Sequence, residues 1–132
     1  MSVRLTVHHD RFEVETVAIG PVTLQDIEAH VREERDAGGL PYREIVDATR
    51  ATAAFTPGEA RTIVANIREL ARSYALGPTA IVLSDEMSYG MIRMLDLLLE
   101  DVCDVHPFRA NEWERAREWV RTIPLRPAPV SS

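Results

Sequence analysis

Lysine is missing from this 132-residue chain: all fifteen basic residues are arginine. That excludes Schiff-base and other lysine chemistry, and we read the bias itself as GC-rich coding. Cysteine is almost missing. Cys103 stands alone, so no intrachain disulfide can form, which points to a reducing cytoplasm. The N-terminus does not read as a signal peptide. Long hydrophobic runs are lacking as well. The most apolar stretch, Met91 to Leu99, is interrupted by Arg93 and Asp96, so no membrane insertion is expected. Positive charge is in short supply, and the formal net charge of -6 argues against a nucleic-acid partner and against docking on an anionic membrane. No Gly-rich phosphate loop, zinc motif or Ser-His-Asp spacing is visible. No cofactor and no metal are therefore expected.

What is present is alternation. Val3–Val7 and Arg11–Ile19 alternate apolar and polar residues and read as a hairpin turning near His8, His9 and Asp10. Thr23 caps a helix carrying Leu24, Ile27 and Val31 on one face and stopping at Gly38-Gly39. Tyr42–Ala48 is the next strand, and a second helix runs from Pro57 to about Tyr74. Thr79–Ser84 is a continuous apolar run, as a strand buried on both faces should be. A third helix covers roughly Asp85 to Asp101, Val102–Phe108 forms the last strand, and Asn111 caps a fourth helix ending near Val120. The order β-β-α-β-α-β-α-β-α predicts an α/β fold. Its five-stranded sheet is mixed but mostly parallel, opens with an antiparallel hairpin and carries four helices. Residues 1–123 read as one domain, and 124–132 as a loose Pro-rich tail.

Single side chains offer little chemistry. His8 and His9 are neighbours on a strand and point to opposite faces, so they do not ligate one ion. His30 and His106 show no partner in the sequence, and Cys103 reads as a small core residue. The third helix is richer. At helical spacing Met87, Met91, Met94, Leu95, Leu98 and Val102 share the face expected on the sheet. Ile92, Leu97 and Leu99 are then surplus and become candidates for a homodimer interface or a pocket wall.

"GPVTLQDIEAHV", "REIVDATRAT", "AIVLSDEMSYGMIRM" and "VHPFRANEWERAREWV" together resemble the STAS/SpoIIAA-like fold, and more closely a group of small bacterial STAS/SEC14-domain proteins. Bacterial anti-sigma-factor antagonists share that fold, as do, more distantly, CRAL-TRIO lipid-binding domains. In the antagonists a strand ends in Asp, and nine residues later a phosphorylatable Ser opens a helix. Here Asp47 ends a strand and Thr56 occupies the matching position, with Phe55 in place of the expected Asp and Pro57 in place of the second hydroxyl. The resemblance thus makes Thr56 a candidate phosphosite. The residues themselves explain it as a helix cap: Thr at the N-cap, Pro at the first helical position and Glu59 at the third form a capping box.

In open α/β sheets, ligands bind beyond the carboxyl ends of the strands. Those ends gather Asp47, Arg50, Ser84 and Arg109, with Thr56 on the same rim. Guanidinium groups there suit an anionic head group. The preferred reading is a non-enzymatic regulatory or ligand-binding module, taking a protein partner or a small anionic or amphiphilic ligand. The alternative is a small-molecule enzyme using Asp47 or Asp85 as acid/base beside Arg50 or Arg109. A carboxyl of strongly raised pKa in a closed pocket would mark the enzyme, and solvated carboxylates on a shallow rim the binding module.

Overall fold

The computed structural model describes residues 2–129. Its elements run β1 (Ser2–His8), β2 (Glu13–Val22), α1 (Leu24–Asp36), β3 (Arg43–Ala53), α2 (Pro57–Ala71), β4 (Thr79–Leu83), α3 (Glu86–Leu99), β5 (Val105–Arg109), a 3-10 turn (Ala110–Glu112) and α4 (Trp113–Thr122). The strands lie in the order β1-β2-β3-β4-β5. β1 pairs antiparallel with β2, and every later pairing is parallel. The architecture is the α/β sheet predicted from the alternation.

The two faces of the sheet bury different sets of residues, because successive strand residues point opposite ways. On one face α1, α2 and α3 bring Ile27, Ile63, Ile92 and Leu95 against Ala18, Ala48 and Leu83. On the other, α4 sets Ala116 and Val120 against Ala80, Val82 and Phe108. β4 feeds both clusters, which is why its sequence is apolar throughout.

Local chemistry explains the ends of the helices. Thr23 and Thr56 each close a capping box, with Asp26 and Glu59 respectively. Gly38, at φ 76°, follows the C-cap of α1 in the left-handed region that glycine enters at least cost. Gly77 is demanded by proximity, since a Cβ there would collide with the Tyr42 carbonyl.

Several boundaries differ from the sequence reading. β3 continues to Ala53 rather than stopping at Ala48, because beyond a register shift at Val17/Ile19 the residues Arg50 to Ala53 pair with Ile19 to Val22. Such shifts are invisible to an alternation count. α2 ends at Ala71, and β5 starts at Val105. Asn111 does not cap α4; it lies inside the 3-10 turn, and the Arg109 N–H donates to Glu112 at 2.8 Å.

The buried stripe of α3 is Ser88, Ile92, Leu95 and Leu99, while Met87, Leu97 and Leu98 are exposed. The apolar arc read from the sequence is therefore rotated from the one that packs. Ser88 sits inside because its hydroxyl accepts from the Ala53 N–H at 2.8 Å and donates to Asp85 at 2.7 Å. Of Ile92, Leu97 and Leu99, only Leu97 reaches the surface. The tail is tied down at Arg126, which forks onto Asp104 at 3.0 and 3.1 Å and donates to the Glu100 carbonyl at 2.6 Å.

Candidate functional site: an apolar cavity with a buried His-Glu-Glu end

Between the sheet and helices α1–α3 lies a cavity of about 220 Å³. Its origin is legible in the side chains. The sheet offers Ala18, Ala48, Ala51 and Ala53 where larger residues would fill the layer, and Ile63, Ile67 and Leu70 of α2 form part of the opposite wall. Protein interiors are normally packed as tightly as organic crystals. An engineered apolar cavity of about 150 Å³ stays dry and takes up benzene.

The cavity reaches toward solvent along the seam between α1 and α2. An adjoining space of about 180 Å³ shares Ile27, Val31, Ile63, Ile67 and Leu70 with it and is edged by Glu28, Arg32 and Asn66. One hydrogen bond crosses that seam, from the Asn66 amide to Glu28 at 3.1 Å.

The lining is polar mainly at one place. His30 and Glu34, one turn apart on α1, face Glu44 of β3 and Thr16 of β2. His30 Nε2 lies 2.8 Å from Glu44 Oε2, and Thr16 Oγ1 donates to the same oxygen at 2.6 Å. Glu34 Oε2 lies 3.6 Å from His30 Nε2. His30 Nδ1 is buried with no hydrogen-bond partner. Among the described residues no arginine pairs with Glu34 or Glu44.

Electrostatics divides the cluster into distinct states. Burial, then the charge of Glu44, pushes the Glu34 carboxyl up to about 10, so it keeps its proton at neutral pH. Glu44 is fully enclosed. Burial works to raise it, but hydrogen bonds from His30 and Thr16 outweigh that, and its pKa is lowered. His30 moves the other way: burial alone would lower it, and Glu44 raises it. Neutral Glu34, anionic Glu44 and a basic His30 thus share one pocket end. The three also offer ligand atoms within 4.8 Å of one another, a spacing compatible with a cation.

The structure places the rim residues apart from this cavity end. Asp47 accepts from the Thr49 N–H and hydroxyl at 3.1 and 2.7 Å. Asp85 caps α3 through Ser88. Arg109 is held in a two-pronged pair with Glu86 at 2.9 and 3.1 Å and lies 4.0 Å from the Tyr89 ring centre. Arg50, Thr56 and Ser84 are exposed. Thr56 accepts from the Glu59 N–H at 3.1 Å and follows Phe55, which lines the cavity.

The histidines do have partners. His30 meets Glu44, and His106 meets Asp96 at 2.9 Å. Sequence reasoning passed over His30, Glu34, Glu44 and Thr16. The available signal was His30-Glu34 at helical i, i+4 spacing beside the apolar positions Ile27 and Val31, a polar pair on the inward face of α1. Cys103 is buried, and its thiol is pushed up to about 11 by burial, as befits a packing residue.

Two solved structures share the architecture. One is an uncharacterised protein from the DUF3478 family with a SpoIIAA-like fold from Shewanella loihica PV-4, with a TM-score of 0.55 at 15% identity over 90% of this chain and 92% of that one. The other is the anti-sigma factor antagonist SpoIIAA in its unphosphorylated form, with a TM-score of 0.52 at 17% identity over 92% of this chain and all of that one. No family model and no curated protein matches the chain. The fold is SpoIIAA-like, as the sequence motifs implied. Among the described residues no helix is long and apolar enough to cross a membrane.

Proposed function

We propose that this chain is a non-enzymatic binding module of SpoIIAA-like fold, whose ligand is a small molecule with an apolar body and one polar group. The carrying observation is the 220 Å³ alanine-floored cavity ending in His30, Glu34 and Glu44. The apolar body lies between the sheet and α2, and the polar group meets the cluster. This keeps the amphiphile read from the sequence and moves its head group from the rim to the interior, because Arg109 is already neutralised by Glu86. Occupancy has a direct route to the surface. Phe55 lines the cavity, and the next residue is the exposed N-cap Thr56. A protein partner sensing the start of α2, with Thr56 unmodified or phosphorylated, would complete a regulatory module.

The test is native mass spectrometry of protein purified from its own host, with Ala51→Leu as the filled-cavity control. The parent should retain a small molecule that the variant lacks, and apolar probes should raise the Tm of the parent only. A parent that is empty and indifferent to every apolar probe refutes the reading.

A second reading has one observation in its favour. A carboxyl of raised pKa lines the cavity, that of Glu34. Glu34 as general acid beside His30 would make the chain a small-molecule enzyme. Chemical change of the retained ligand on incubation, lost in Glu34→Gln, would establish it.

A further inference from the structure

The polar end of the cavity balances its charge only while Glu34 keeps its proton. Within one tight group it holds the carboxyls of Glu34 and Glu44 and, opposite them, a single imidazole. Asp26 also borders the cavity, but its carboxylate is occupied by the Thr23 N–H and hydroxyl, both at 2.9 Å. Glu33 adds further negative charge near His30. The facing α2 wall supplies Ile63, Ile67 and Leu70 and no charge.

We propose that the polar group of the ligand is an amine, and that its ammonium enters as a second cation opposite the two carboxyls of the Glu34–Glu44–His30 cluster, in exchange for a proton. This rests on the cavity reading above and adds the chemical class of the ligand. The exchange balances: an ammonium enters beside the protonated Glu34 carboxyl, Glu34 releases its proton to solvent, and two anions then face two cations. An acidic amphiphile would instead set a third carboxyl against one imidazole. Burial of an unpaired charge is among the costliest events in a protein interior. A metal ion would find His30, two carboxylates and the Thr16 hydroxyl, but water would have to complete its shell among alanine, isoleucine and leucine side chains. The shape and lining of the cavity favour an organic cation with a hydrocarbon body.

The experiment is calorimetric titration near neutral pH with three probes of one shape: phenylbutylamine, phenylbutanol and phenylbutyrate. Each is run in two buffers of different ionisation enthalpy, so that proton release is read directly. The amine should bind at least about tenfold tighter than the alcohol, the acid weakest, with release of roughly one proton per amine bound. Glu34→Gln should abolish both the amine preference and the release. Equal binding of all three, or tightest binding of the acid, overturns the amine and leaves the cavity reading standing. Absence of binding by all three overturns both. Stabilisation by zinc alone, with none by the amine, overturns the amine in favour of a metal. Should Glu34→Gln fail to fold, proton release by the parent decides the matter on its own.

Discussion

His30 and Glu44 lie fourteen residues apart in the chain and meet at 2.8 Å in the interior, with His30 on a helix and Glu44 on the strand beneath it. That contact orders the polar end of the cavity, and the protonation of its members makes folding depend on pH. Glu34 is raised from 4.5 to about 10. As pH climbs above the unfolded value, the unfolded chain ionises while the folded one cannot, so Glu34 removes stability over that whole window. His30, raised from 6.5, contributes stability below that value and loses it as pH rises through its folded value. Both act in one direction. Thermal stability should therefore fall from about pH 6 to about pH 9, and Glu34→Gln should flatten the slope and stabilise the protein most at the alkaline end. An equally steep slope in the variant would show that Glu34 is not the group responsible.

Thr56 is an N-cap, accepting from the Glu59 N–H while Glu59 accepts from the Thr56 N–H. Thr56→Ala should cost roughly 1 kcal/mol in chemical denaturation, and Thr56→Asp should retain most of that stability. Equal, large losses in both variants would count against the cap. Phosphopeptide mapping of protein from its own host tests the regulatory role separately; modification at Thr56 would support it, and its absence across growth conditions would leave the cap alone.

Leu99 is fully enclosed and Leu97 is 53% exposed, two positions apart on α3. Leu99→Glu should abolish the cooperative melt, because it places a carboxylate in the core. Leu97→Glu should shift stability by no more than about 0.5 kcal/mol. Similar melts for the two would mean that the buried stripe of α3 has been placed wrongly.

Arg109 is bound through two nitrogens to Glu86, and hydrogen bonding lowers the Glu86 pKa. Inorganic phosphate should therefore give the parent little thermal stabilisation. Glu86→Ala, which frees the Arg109 guanidinium, should increase it. Strong phosphate stabilisation of the parent, lost on Arg109→Ala, would return the ligand head group to the rim.

Much of the fold was written locally. Alternation in Val3–Val7, the uninterrupted apolar run of β4 and the Thr-Pro-Gly-Glu start of α2 each follow from contacts within a few residues. A short-range pattern is enough to specify such elements. The class of the fold then follows from their order. Where the reading failed, the cause was a neighbour from another element. The last residues of β3 are strand only because β2 runs beside them, and α3 turns Ser88 inward only because the Ala53 N–H waits there.

The candidate site belongs almost wholly to that second kind. Sequence determined that α1 would carry a histidine and a glutamate one turn apart, and that the sheet beneath would be floored with alanine. Tertiary structure alone decided that Glu44 and Thr16 meet them from two adjacent strands, and that the helices stand off far enough to leave about 220 Å³ between. The physical reason is range. Capping and alternation act over a few residues, whereas desolvation, charge balance and the volume of a void depend on everything that packs around a point. Glu34 shows no unusual chemistry by its sequence, and it becomes a neutral group in a pocket only because the fold buries it beside Glu44.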